Sequence, residues 1–170
     1  RAAAKYYEGN CLLNMNELNG AVIELEKFID SYKTSNFREE ALYKLSSAYF
    51  TKGEYRKARE RLLFLITIYP NTEYLGSSHY WMGEAYAGEN MNYEAEEYFK
   101  KAIAEYSTNK YIVNSYYSLA QLYEKMNNYE GAVNLYDELL AYYKNDPLSP
   151  KAQWRIGICY FNLKKYDYAV

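Results

Sequence analysis

The chain has 170 residues, a formal net charge of −2 and a pI of about 5.6. Apolar residues make up 49% and charged residues 25% of it, an ordinary composition for a globular domain with its own core. No block of Lys and Arg supplies the positive surface that phosphate binding needs, so we expect no nucleic-acid partner. No apolar run is long enough to cross a bilayer, so we expect no membrane-spanning helix in this sequence.

The chain repeats itself with a period of 37 residues. One column of alanines and one of small residues follow this spacing, as do aromatic columns that account for most of the 24 tyrosines. A period in this range indicates a repeat architecture. We therefore predict one domain over residues 1–170, with repeats at about 2–35, 39–72, 76–109, 113–146 and 150–170, the last incomplete. The columns include Ala21, Ala58, Ala95, Ala132, Ala169; Gly9, Ser46, Gly83, Ala120, Gly157; and Tyr32, Tyr69, Tyr106, Tyr143.

Each repeat divides into two helical patterns joined by a short turn. Leu42, Leu45 and Tyr49 lie on one helical face, and a second apolar face begins after the turn. We expect the alanine column to pack against the small-residue column, since two helices joined by a tight turn approach closely. Ser149 and Pro150 predict a helix start with Ser149 as the capping residue. The turn residues, mostly tolerant of a left-handed backbone, are Asn16, Gly53, Asn90, Asn127 and Lys164.

This pattern resembles the tetratricopeptide repeat over the whole chain. The matching residues in the second unit are Leu42, Leu45, Ser46, Tyr49, Ala58, Leu62, Leu65 and Pro70. The resemblance implies an all-α fold, an α-solenoid whose antiparallel helix-turn-helix repeats form a right-handed superhelix. The family period is 34, so this chain adds three residues to each connecting loop. An apolar column in that loop is expected to pin it onto the helices: Phe37, Tyr74, Tyr111 and Leu148.

Two phrases, YWMGEAY and IYPNTEY, are similar to a subgroup of these repeats in bacterial cell-envelope proteins. That subgroup includes the TolA-binding periplasmic protein and the lipoprotein partner in outer-membrane β-barrel assembly. This similarity favours a bacterial periplasm or cell envelope, although the residues themselves leave the compartment open.

The sequence offers no constellation for catalysis, so we expect no enzyme, no metal site and no cofactor. His79 is the single histidine and occupies a column that faces the paired helix, so we expect a structural role. Cys11 and Cys159 share a column of small residues, so we expect buried fillers; four repeats separate them, too far for a disulfide. Carboxylates such as Glu96 have a lysine four residues on and indicate a solvated helix face.

Function is therefore expected on a surface, as a scaffold for protein–protein interaction. By resemblance, a peptide or protein segment binds along a concave groove lined by first-helix residues that point away from the paired helix. An aromatic stripe suits an apolar or mixed segment, whereas the family's clamp for acidic C-termini needs Lys and Asn. For the tyrosines, packing between helices remains an alternative. The predicted groove residues are Tyr6, Tyr43, Ser47, Phe50, Tyr80, Glu84, Tyr117, Gln121, Trp154 and Phe161.

Three alternatives remain open at this stage. The chain begins at Arg1 and ends within a predicted helix, so we expect a piece of a longer protein. It could then be a structural spacer of a longer solenoid, or a regulatory module of a multidomain enzyme or signalling protein. The C-terminal end could also drive homo-association.

Overall fold

The computed structural model describes residues 1–105 and 109–169, and these form an all-α structure. Tyr106, a member of the tyrosine column, and Val170, at the end expected to associate, lie outside the described residues. A short 3₁₀ turn, Tyr166–Tyr168, follows the last helix. The helices are α1 (Ala2–Asn14), α2 (Leu18–Ser31), α3 (Arg38–Thr51), α4 (Tyr55–Ile68), α5 (Leu75–Gly88), α6 (Asn92–Ala104), α7 (Ile112–Lys125), α8 (Tyr129–Tyr142) and α9 (Ser149–Asn162).

The helices pack in chain order as antiparallel hairpins, and each hairpin also packs on the next one. Successive first helices touch as well, α1 with α3 and α5 with α7. The hairpin turns confirm the sequence prediction, because all five turn residues have a left-handed backbone, with φ of 74° at Gly53 and 59–61° at the other four. Only Gly takes this conformation without a steric cost, and Asn tolerates it better than most residues.

The close approach of paired helices is confirmed, but with a different partner residue. Ala21, Ala58, Ala95 and Ala132 are fully buried as expected, and Ala169 is partly buried. A Cβ on Gly9 would lie 2.9 Å from the Leu25 side chain, and one on Gly83 would lie 2.7 Å from the Phe99 ring. At Gly9 and Gly83 the small residue therefore receives the large residue four positions after the alanine, whereas a Cβ on Gly157 would lie 3.3 Å from the carbonyl oxygen of Ala169 itself. One turn of helix separates these two positions on the same face.

The first helices α1, α3 and α5 are each joined to the following loop by an aromatic stack. Tyr43 and Tyr74 lie 4.6 Å apart between ring centroids and are nearly parallel. The equivalent pairs are Tyr6 with Phe37 at 4.9 Å and Tyr80 with Tyr111 at 5.0 Å. The three added residues of the 37-residue period thus place a ring that covers the first-helix tyrosine.

A polar column in the same loop completes its fold. In each loop a side-chain oxygen accepts a hydrogen bond from the backbone N–H two residues on, which forms a local turn. This column was missed at the sequence level, although its 37-residue spacing was readable. The acceptors and donors are Ser35 with Phe37, Thr72 with Tyr74, Asn109 with Tyr111 and Asp146 with Leu148.

Two local expectations were wrong. The Ser149 hydroxyl donates to the Tyr143 carbonyl instead of capping a helix, and Leu148 occupies the capping position before α9. Cys11 is exposed, whereas Cys159 in the same column is buried. The column is buried where a preceding second helix packs on it, and α1 has no such neighbour in this chain. Both cysteines are free, as predicted. In the described part of the chain, no helix is long and apolar enough to cross a membrane.

Candidate functional site

The ten predicted groove residues, called here the first-helix stripe, lie on the first helix of each repeat. They differ sharply in exposure. Tyr6, Tyr43 and Tyr80 are 1%, 9% and 7% exposed, whereas Trp154 and Phe161 are 65% and 63% exposed. The buried three are covered by the loop aromatics of their stacks.

The other members of the stripe keep some or much of their surface in solvent. Ser47 and Gln121 are exposed, and Phe50, Glu84 and Tyr117 are partly exposed. Phe50 also packs against other rings, because its ring centroid lies 4.8 Å from that of Trp81 and 5.2 Å from that of Tyr55. A molecule bound at the stripe would therefore contact polar and aromatic side chains that pack on the buried tyrosine rings.

A ladder of hydrogen bonds crosses the stripe from each repeat to the previous one. The donors occupy one column, called here the ladder column: Lys44, Trp81, Ser118 and Arg155. The donor is a different residue type in each repeat, so the sequence did not indicate that this column forms hydrogen bonds. The bonds are Lys44 Nζ to Asn10 Oδ1 at 2.7 Å, Trp81 Nε1 to the Tyr43 hydroxyl at 3.1 Å, Ser118 Oγ to Glu84 Oε1 at 2.5 Å, and Arg155 to both oxygens of Glu124 at 2.8 and 2.9 Å.

Two carboxylates of this ladder have different electrostatic environments. The Glu124 side chain is 8% exposed and is held by the Arg155 guanidinium and the Tyr136 hydroxyl. Glu84 accepts a hydrogen bond from the Ser118 hydroxyl, and no ion pair joins it to a cation among the described residues. Burial raises the pKa of Glu84, and hydrogen bonding by Ser118 and Tyr80 opposes the rise. Its negative charge is therefore uncompensated within the stripe.

Tyr80, the ring that interacts with this carboxylate, belongs to an aromatic cluster that also contacts a lysine. Tyr80, Trp81 and Tyr111 contact one another, with centroids 5.0–5.2 Å apart. The Lys110 ammonium lies 5.2 Å from the Tyr111 ring centroid and 5.6 Å from that of Tyr43. Both distances are in the range of a cation–π interaction. The rings of Tyr111 and Tyr43 thus already interact with one ammonium group, that of Lys110.

The remaining reactive side chains point to no chemistry. His79 is partly buried, its Nδ1 has no hydrogen-bond partner among the described residues, and burial lowers its pKa to about 4. Burial raises the pKa of the Cys159 thiol to about 12, so it is not a nucleophilic thiolate. No group of His, Cys, Asp and Glu in the described ranges could hold a metal ion.

Comparisons with known families and structures agree on the repeat. Family models described as "Tetratricopeptide repeat" match residues 40–72, 76–109 and 117–170. A search of curated proteins gives no match. Among solved structures, a MamA protein aligns with 21% identity and a TM-score of 0.80, over 99% of this chain and 85% of its own.

Two further structures extend this likeness. MamA from Desulfovibrio magneticus RS-1 aligns with 16% identity and a TM-score of 0.79, over 99% of this chain and 88% of its own. A tetratricopeptide repeat protein from Parabacteroides merdae aligns with 14% identity and a TM-score of 0.82, over 99% of this chain and 62% of its own. At these identities the likeness shows the fold alone.

Proposed function

Because this chain is built of tetratricopeptide repeats, we propose that it is a protein–protein interaction scaffold that binds a peptide or protein segment along the first-helix stripe. The repeat is a non-catalytic scaffold type, and the described residues supply no catalytic constellation. The observation that carries the proposal is the organisation of the stripe itself. Exposed or partly exposed side chains recur on α3, α5, α7 and α9, and on α3 and α5 they adjoin tyrosine rings that the stacks hold in place.

This arrangement supports binding on physical grounds. Side chains locked by packing lose little conformational freedom when a ligand arrives, so less interaction free energy is lost to ordering. Aromatic groups with a polar end are also enriched where binding energy concentrates. The buried tyrosines lie beneath the site and support it. The residues that contact the bound segment are Ser47, Phe50, Glu84, Tyr117, Gln121, Trp154 and Phe161.

The ligand that fits this surface is an apolar or mixed segment. The stripe is aromatic where the clamp for acidic C-termini carries Lys, and its one carboxylate, Glu84, would repel an acidic ligand. The cell-envelope location stays a prediction from two short phrases. A spacer role and a regulatory role remain alternatives, and neither requires a ligand on the stripe.

The test is a pull-down from the source cells with two variants of equal charge change. One carries Ser47→Arg and Gln121→Arg on the stripe; the control carries Thr67→Arg and Asn134→Arg on exposed second-helix positions. We expect a protein that wild type and control retain and that the stripe variant loses, with all three equally helical by circular dichroism. Equal retention by all three would overturn the proposal.

A further inference from the structure

We infer that the stripe contains a receptor site for a cationic side chain, an Arg or Lys of the bound segment, formed by the Glu84 carboxylate and the rings beside it. This inference rests on the proposed function and deepens it by naming a chemical group of the ligand. It comes from the ladder, where the chain itself provides a comparison between two carboxylates.

The comparison concerns what the ladder column offers each carboxylate. Glu124 receives the Arg155 guanidinium from the next repeat in a two-bond pair, a geometry that matches a carboxylate well. Glu84 receives the Ser118 hydroxyl from the same column one repeat earlier. The Ser118 hydroxyl carries no charge, so the ladder column supplies no cation to Glu84, which lies in the repeat column of Gln121, one helical turn before that of Glu124.

Burial makes this unbalanced charge significant. A carboxylate that is partly removed from water and lacks a counter-ion is destabilised relative to a paired one. The raised pKa of Glu84 has the same cause. A cation that arrives with the ligand would restore the pairing, and because Glu84 is partly exposed on the stripe, it can be reached from solvent.

The neighbouring rings suit the same ligand. Tyr80 interacts electrostatically with Glu84 and stacks on Tyr111, and the Lys110 ammonium lies 5.2 Å from the Tyr111 ring centroid. Rings beside a carboxylate attract a cation through both the carboxylate charge and the aromatic quadrupole. Arg fits better than Lys, since its planar guanidinium can pair with the carboxylate and stack on a ring at once.

The probe for the test is N-acetyl-arginine-N-methylamide, titrated into the ¹⁵N-labelled chain, with the neutral isostere N-acetyl-citrulline-N-methylamide beside it. We expect saturable shifts of the Glu84, Ser118 and Gln121 backbone amides with the arginine probe, and binding weaker by about tenfold or more with citrulline. Raising the ionic strength should weaken the arginine binding.

Two variants of the chain complete the experiment. Glu84→Gln keeps the shape and the hydrogen-bonding oxygen but removes the charge, so the arginine probe should lose about tenfold or more in affinity while the citrulline probe is unaffected. Glu60→Gln, at an exposed second-helix position, should bind like wild type. If Glu84→Gln did not fold, the arginine-to-citrulline ratio in wild type would still decide.

Equal affinity for the two probes, or shifts elsewhere in the chain, would overturn this inference. That failure is separable from a failure of the proposed function. If the stripe variant still lost its partner in the pull-down, the scaffold proposal would stand without a cation site.

Discussion

The ring of Tyr43 on α3 stacks on the ring of Tyr74 in the following loop, with centroids 4.6 Å apart and an interplanar angle of 21°. The same relationship recurs 37 residues later between Tyr80 and Tyr111. It joins one repeat to the next and buries tyrosines that sequence reasoning had placed in a groove. The stacks therefore form the floor beneath the proposed binding surface.

Removing a stacked tyrosine should destabilise the fold. Tyr80→Ala deletes a ring that is 7% exposed and should lower the free energy of unfolding by about 3–5 kcal/mol. Trp154→Ala changes the same repeat column where the ring is 65% exposed, and it should cost less than about 1 kcal/mol. Urea unfolding followed by circular dichroism measures both. Equal losses would mean that the stack does not explain the burial.

Overpacking the alanine column should also destabilise the chain. Ala95 is fully buried between the paired helices, so Ala95→Leu should cost about 1–3 kcal/mol. Tyr93→Leu on the same helix is the control, because Tyr93 is 78% exposed and its replacement should change stability by less than about 0.5 kcal/mol. An unchanged melting midpoint for Ala95→Leu would show that the space around Ala95 accommodates a larger side chain without strain.

The ladder pair between Arg155 and Glu124 should respond strongly when one partner is removed. Arg155→Met leaves a carboxylate that is 8% exposed without its cation and should cost about 2–4 kcal/mol. Arg56→Met breaks the exposed pair with Glu60 and should cost less than about 0.5 kcal/mol. Thermal and urea midpoints give the comparison, and a small loss for Arg155→Met would indicate that Tyr136 alone suffices to hold Glu124.

His79 should make stability depend on pH in the acid range. Its pKa is lowered to about 4 in the folded chain, against 6.5 for the free side chain, so between these values the unfolded chain binds more protons. The free energy of unfolding should therefore fall as the pH drops from 6.5 to about 4. A full shift equals about 3 kcal/mol; partial exposure reduces our expectation to about 1–2 kcal/mol.

The control for this effect comes from the repeat itself. Leu42 occupies the same column one repeat earlier and is buried there. His79→Leu should remove the fall in stability between pH 6.5 and 4, measured as the difference between urea midpoints of the two chains at each pH. The same slope in both chains would assign the pH dependence to other groups.

The sequence predicted the fold and the hairpin turns because both depend on local rules and on spacing. Asn90 and Lys164 could be identified from the period alone, and both have the left-handed backbone. Burial within a column was not predicted: Tyr80 is buried under Tyr111, whereas Tyr117, one repeat later, is followed by Leu148 in the same loop position and stays partly exposed. The hydrogen-bond ladder could not be predicted from the sequence either, because Ser118 and Arg155 occupy the same repeat position but are different types of hydrogen-bond donor.

The measurement that tests the central claim most directly is site-specific photo-crosslinking from the stripe. A photoreactive residue at Ser47 or Gln121 on the first helices is compared with one at Thr67 or Asn134 on the second helices, all exposed positions, in extract of the source cells. A scaffold that binds along its first helices predicts the same partner adduct from Ser47 and Gln121 and none from Thr67 and Asn134. Adducts from the second-helix positions alone would contradict it.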